Sequence, residues 1–399
     1  MVHNGVQTRV RSGLEILLED KPELVTGKRV ALLCNPTSVD RQMRHAADRI
    51  AEITTLSCLL GPEHGVRGEV QDMAGVESQR DSRLGVMVHS LYGAELASLR
   101  PQEEWLADAD VLVVDLQDVG SRYYTYIWTM VMALEVCAEI GLPMLVLDRP
   151  NPLAGNMLEG PSIEEGFHSF VGYASLPVRH GLTIGELAQL ICGRKGYDSV
   201  DLKVVAMEGW SRSLHYDETD LPWVLPSPNM PTLDTALVYP GGCLLEGTNL
   251  SEGRGTTRPF EIVGAPYVDG SRLADALAEL ELPGVRFRAL GFEPTFQKHA
   301  GESCGGVQLH LHDRLAFRPF LTGVAILSVV ARLWPTEFGW REAPYEFVSD
   351  IPAIDLLAGG RWLREGIEAT THLSELSSSW ARDERAFDEE RRAHLIYGT

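Results

Sequence analysis

Short runs of Val, Ile and Leu recur at Arg29–Cys34, Thr54–Leu60, Val111–Asp115, Met144–Leu147 and Leu202–Ala206. Each predicts a strand, and their nearly continuous apolar character predicts burial on both faces. Between them, the amphipathic stretches Thr129–Ile140 and Glu186–Cys192 predict helices. Strands alternating with helices make an α/β domain built on a parallel sheet covered on each side. Thr183-x-x-Glu186 reads as a capping box that opens the second helix, which makes Glu186 structural.

From about Thr235 the texture changes. Tyr239–Phe260, YPGGCLLEGTNLSEGRGTTRPF, shows neither helical nor strand period. Loops of that length in a compact domain are usually functional. Beyond it, the pattern predicts a helix at Ser271–Leu280, a strand from Val307 (VQLHLH) and an apolar run from Phe320 to Trp334. A last helix, Trp380–His394, sets Trp380, Phe387 and His394 at two-turn spacing. The expectation is two domains: residues 1–235, and a smaller α+β unit, residues 236–399, that contributes the Gly-rich EGTNLSEGRGT loop.

Composition narrows the partners. The 399 residues carry a formal charge of −21, which disfavours nucleic acid and anionic membranes, since both need a basic face. Cys34, Cys58, Cys137, Cys192, Cys243 and Cys304 contain no C-x-x-C pair and read as reduced, buried thiols. The N-terminal segment has no apolar signal-peptide core. Phe320–Trp334 is shorter than the ~20 residues of a membrane span. A soluble, cytoplasmic protein is expected unless a leader has been removed. Walker, G-x-G-x-x-G, H-E-x-x-H and G-x-S-x-G motifs are absent, so no cofactor and no metal is expected. His310 and His312 read as an exposed strand face rather than a metal pair.

In a parallel sheet, ligands meet the carboxyl ends of the strands. Here those ends carry Asn35, then Glu63, His64 and Arg67, then Asp115, Gln117, Asp118, Arg122, Tyr123 and Tyr124, then Asp148, Arg149 and Asn151. Each has a plain alternative. Asn35 and Asn151 can cap turns, Asp115 can close its strand, and the tyrosines can simply pack. Glu63 is harder to explain away, lying between Pro62 and His64 in a glycine-bounded turn. Further polar candidates are Arg179, His180, Asn229, Glu252 and Arg254. Carboxylates, hydroxyls, arginines and aromatics without a cofactor motif suit glycoside hydrolysis, in which paired carboxyls act on the anomeric bond. An arginine could clamp an acidic sugar, although internal ion pairs are the ordinary fate of such groups.

GPEHGVRGEVQDMAG, DLQDVGSRYYTYI, VLDRPNP, SFVGYASLPVRHGLTIGELA, PSPNMPTLDTALVYPG and EGTNLSEGRGTTRPFEIVGAP together resemble the signatures of the exo-β-N-acetylmuramidase (NamZ) family. The likeness runs from Gly13 to Gly398, with Cys34 and Ser38 standing where a threonine and a glycine are more usual. It implies a Rossmann-like N-terminal domain, a smaller C-terminal domain, no cofactor, and release of terminal N-acetylmuramic acid from peptidoglycan fragments. It also implies that the catalytic glutamate of the PEHG block is Glu63. The expected mechanism makes Glu63 the general acid, oriented by His64. The second carboxylate is ranked Asp118, Asp115, then Glu252. A non-catalytic muropeptide sensor using the same pocket is the alternative.

Overall fold

Seven strands build the first sheet: β1 (Arg29–Cys34), β2 (Thr55–Gly61), β3 (Gln79–Arg80), β4 (Met87–Ser90), β5 (Val111–Asp115), β6 (Met144–Leu147) and β7 (Leu202–Val205). This computed structural model describes residues 9–63, 65–67, 79–93, 95–197 and 199–398. The order is β3-β4-β2-β1-β5-β6-β7, and only the short β3 runs antiparallel to its neighbour. β5 and β6 are buried end to end, and β1 is buried after Arg29, as their apolar runs require. The chain moves from β1 to β2 and β4 on one side, then crosses to β5 on the other. The crevice at the carboxyl end of β1 is therefore the topological switch point.

The helix Tyr126–Ile140 is less amphipathic than its sequence suggests, because every residue from Tyr126 to Cys137 is buried. It belongs to a hydrophobic core that continues into the C-terminal residues, including Phe260, Phe317 and Leu357, so little of its surface meets water. The capping box forms as predicted at the start of the helix Ile184–Lys195. Glu186 accepts from Thr183 N at 3.0 Å and also pairs with Arg212 at 2.6 Å.

The C-terminal residues add an antiparallel sheet, β8 (Ile262–Ala265), β9 (Val285–Phe292) and β10 (Cys304–Leu311), in the order β8-β10-β9. The stretch from Tyr239 is not one irregular loop. It starts inside a helix, Leu233–Gly242, and continues as a 3-10 turn, Cys243–Gly247. Its glycines serve a helix crossing. A Cβ on Gly241 would lie 1.9 Å from the Pro319 carbonyl oxygen, and one on Gly323 would lie 2.4 Å from the Gly241 oxygen. The helices Leu233–Gly242 and Pro319–Leu333 can touch only because neither carries a side chain there.

The last helix spans Ala381–Arg391. Trp380 and Phe387 are buried, while His394 sits in a 3-10 turn and is only half-buried. Residues 396–398 then return to the first sheet. Ile396 N donates to Glu186, the Tyr397 hydroxyl donates to Asp148 at 2.6 Å, and Arg212 N donates to the Gly398 carbonyl. His310 and His312 are exposed. All six cysteines are free thiols, and five are buried. Among the described residues, no helix is long and apolar enough to cross a membrane.

Candidate active site

Most of the predicted polar residues form a buried layer beneath the strand ends. Asp115, at the end of β5, is wholly buried and chelated by Arg149, whose Nη2 lies 2.8 Å from its carboxylate. Asp148 accepts from Thr183 Oγ1 at 2.7 Å, Gly185 N at 2.8 Å and the Tyr397 hydroxyl. Burial nevertheless pushes its carboxyl up to about 7 against those donors. Asn35 accepts from Thr37 N, and Asn151 accepts from Leu153 N, the turn-capping roles available to both. Gln117 donates to the carbonyls of Asp118 and Pro150 at 2.7 Å.

The expectation of an arginine-loaded cleft is corrected. Arg122 donates to the carbonyls of Leu176 at 2.6 Å and Leu357 at 2.9 Å, and also to that of Pro161. Arg179 donates to the Leu153 carbonyl. Arg67 bridges Asp48 and Asp81, and Arg149 belongs to Asp115. Of these five predicted arginines, Arg254 alone lines the cavity described next. The guanidinium groups mostly cross-link loops that lack regular backbone pairing, which is a task of burial rather than of ligand capture.

A cavity of about 160 Å³ opens above this layer. Glu63, following β2, and Tyr123, Tyr124 and Tyr126, following β5, supply one wall. The Glu63 turn is closed by Gly65 N donating to Pro62 O at 2.9 Å, with Gly65 at φ 77°. His64 lies outside the described residues. Tyr124 stands edge-on to Tyr126 and Tyr239, at 4.9 and 6.0 Å between ring centres. Burial pushes its hydroxyl well above the usual tyrosine range, with Tyr126, Glu63 and Asp118 adding to the effect. Tyr123 lines the same wall while donating to the Leu357 carbonyl at 2.9 Å.

Asp118 is not a cavity-lining residue. It accepts from Gly120 N at 2.8 Å, and His180 Nε2 stands 3.2 Å from the same oxygen. Its other oxygen, Oδ1, has no hydrogen-bond partner among the described residues. Glu252 is also held away, between Arg254 at 3.2 Å and Lys298 at 2.9 Å. Burial would raise its carboxyl, yet the two cations hold it below the usual range. Asn229 is buried, with its backbone N donating to Ser227 Oγ; Ser227 reaches the cavity and Asn229 does not.

The opposite wall comes from residues that sequence reasoning missed: Glu246, Arg341, Tyr345 and Glu346. Glu246 joins Arg254 at 2.8 Å and accepts from the Tyr345 hydroxyl at 2.9 Å. Tyr345 and Val348 exchange two backbone hydrogen bonds of 2.9 Å, which leaves Glu346 and Phe347 as the centre of a two-residue turn. Both have positive φ, 45° and 68°. Turns of that primed type are the usual place for Asn-Gly. Non-glycine residues held so cost about 1–3 kcal/mol each and persist only where neighbours impose them. Here Phe347 meets Tyr92 and Phe170 edge-on at 6.5 and 6.2 Å. Burial pushes the Glu346 carboxyl up to about 8, and Glu63 and Glu246 add to the shift more than Arg254 and Arg341 oppose it. The available signal was Pro344-Tyr345-Glu346-Phe347, a second glutamate set in a bulky turn after proline.

A larger, mainly apolar cavity of about 480 Å³ lies by the helix Pro319–Leu333, away from the strand ends. Among the described residues no group of three or more His, Cys, Asp or Glu is placed to hold a metal.

A Rossmann-like α/β sheet whose switch point opens into a cavity walled by glutamates and tyrosines, with a second domain closing it, defines the class. The chain belongs to the exo-β-N-acetylmuramidase NamZ family, whose N-terminal model matches residues 30–234 and whose C-terminal model matches residues 237–397. It is 44% identical over 98% of its length to the peptidoglycan β-N-acetylmuramidase NamZ of Bacillus subtilis (strain 168), covering 92% of that protein. Crystal structures of two DUF1343-family proteins of Bacteroides fragilis NCTC 9343 share the fold. One has a TM-score of 0.89 at 35% identity and the other 0.78 at 29%, each matched over 98% of this chain and 99% of its own.

Proposed function

We propose that this chain is a glycoside hydrolase that releases terminal, non-reducing β-linked N-acetylmuramic acid from peptidoglycan fragments. The observation that carries the reading is the position of Glu63, which lines a cavity to which both the β2 and β5 strand ends contribute. The likeness to the Bacillus muramidase supports the substrate class.

Glu63 is the general acid. It is half-buried beside Tyr123, Tyr124 and Tyr126, where partial exclusion of water suits a group that must start protonated. It gives its proton to the glycosidic oxygen as the anomeric bond breaks, and water completes the hydrolysis. Arg341, at the cavity beside Tyr345, brings positive charge of the kind that the lactyl carboxylate of muramic acid calls for. The tyrosines offer flat faces for the sugar ring.

Purified protein given a muramic-acid-terminated disaccharide or a chromogenic β-N-acetylmuramide should release free N-acetylmuramic acid. Glu63→Gln should still bind the sugar while kcat falls. Binding without turnover by the wild type would favour a muropeptide sensor, and internal cleavage products would rule out exo action.

A further inference from the structure

We propose that Glu346, held by the strained Tyr345–Val348 turn at the small cavity that Glu63 also lines, is the second carboxyl of the hydrolytic pair. This rests on the reading of the chain as a glycoside hydrolase.

Three independent features meet at Glu346. The first is placement: it lines the same cavity as Glu63, whereas Asp115, Asp118 and Glu252 do not. Each of those three is already engaged below or beside the cavity, by Arg149, by Gly120 N and by Lys298 with Arg254.

The second is the backbone. A two-residue turn with positive φ at both centres selects glycine and asparagine on steric grounds, yet Glu346 and Phe347 fill it. Such strain gathers at sites where a side chain must point in one direction. The turn is clamped on both sides. Tyr345 is tied to Glu246 and lies under the Arg341 guanidinium at 5.2 Å, while Phe347 meets Tyr92 and Phe170. Glu346 is thereby presented on a rigid support rather than on a free loop.

The third is charge. Glu63 and Glu246 face Glu346 with like sign, and Arg254 and Arg341 face it with opposite sign. Glu246 is paired with Arg254, and among the like charges Glu63 contributes most to raising the Glu346 carboxyl. As the general acid of the proposed reaction, Glu63 carries the proton to be transferred. In the reaction that proton goes to the leaving oxygen with the bonding electrons of the broken C–O bond. The anomeric carbon gains the oxygen of water, and the proton water gives up returns to the pair. Glu63 acts at the leaving group, and Glu346 is the carboxylate facing the anomeric carbon.

The test compares wild type, Glu346→Gln and Glu346→Asp on the chromogenic β-N-acetylmuramide across pH. For Glu346→Gln, kcat should fall roughly 10²- to 10⁴-fold, and the residual activity should lose one limb of its pH profile. Its KM should change by less than about threefold, because binding of the sugar is untouched. Glu346→Asp keeps the carboxyl at shorter reach and should retain both limbs with intermediate kcat. The proposal is overturned if Glu346→Gln keeps wild-type kcat, if its defect is confined to KM, or if both limbs survive. Should the Gln variant fail to melt cooperatively, an unchanged kcat in Glu346→Asp overturns it equally. An inactive wild type removes the glycosidase reading itself, an outcome distinct from an active wild type with an indifferent Glu346.

Discussion

Two sets of carboxylates lie near the strand ends, and they are partnered in different ways. Asp115, Asp148 and Glu186 are fully buried, and each is matched by donors on rigid backbone or on a dedicated arginine. Glu63, Glu246 and Glu346 line a cavity in which like charges face one another and aromatic rings displace water. The lower set is a fastening. In the upper set, burial and like charge raise the Glu346 carboxyl to about 8. Charged residues crowd both places, so the density of charge does not separate frame from chemistry; the balance of partners does.

The comparison can be broken from either side, and the largest effect belongs to the upper set. Glu63→Gln should cut kcat roughly 10²- to 10⁴-fold, with its melting temperature close to wild type. Arg149→Met should do the reverse. It strands Asp115 in a site with no exposure and should cost about 3–5 kcal/mol in a chemical denaturation curve. If Arg149→Met were as stable as wild type, the lower layer would not be the fastening described.

A third case sits between the two. Glu159 is buried, its Oε1 accepts from Leu321 N at 2.9 Å, and its Oε2 has no hydrogen-bond partner among the described residues. Burial lifts its carboxyl from 4.5 to about 7, only partly offset by the donor at Leu321 and the charge of Arg179. The folded chain therefore keeps a proton that the unfolded chain has released between those two values. In that window unfolding sheds a proton, so this group's contribution to stability falls as pH rises and is level above it. Glu159→Gln should shrink the drop in melting temperature between pH 5 and pH 8; an unaltered drop would assign the slope to other groups. The smallest effect is expected at the turn. In Phe347→Gly, relief of the left-handed strain opposes the lost ring contacts, so stability should shift by less than about 1 kcal/mol. Its kcat should still fall, because Glu346 loses its support.

Legibility in the sequence followed the same division. β1, β5 and β6 appear with the bounds their apolar runs predict, because burial on both faces leaves an unbroken signature. β3, β4, β8 and β9 were missed, β3 being two residues long and β8 four with a glycine among them. β4 is half-buried throughout, and β9 is an edge strand that alternates between covered and open positions. Glu63, singled out by its turn, does line the cavity. Glu246 and Glu346 line the same cavity but were not singled out, because distant segments bring them there and only the bulky turn after Pro344 gave a local sign. The arginines misled for a related reason. A guanidinium in a polar loop looks the same in sequence whether it will meet a ligand or a row of backbone carbonyls, and Arg122 meets the carbonyls.

The return of residues 396–398 to the first sheet has a consequence for synthesis. Asp148 and Glu186 complete their hydrogen bonds with Tyr397 and Ile396. Domains usually fold in order as they leave the ribosome, but this N-terminal one lacks these bonds until residues 396–398 have emerged. A tag fused directly after Gly398, or a deletion of these few residues, should therefore disturb maturation of a domain encoded long before them.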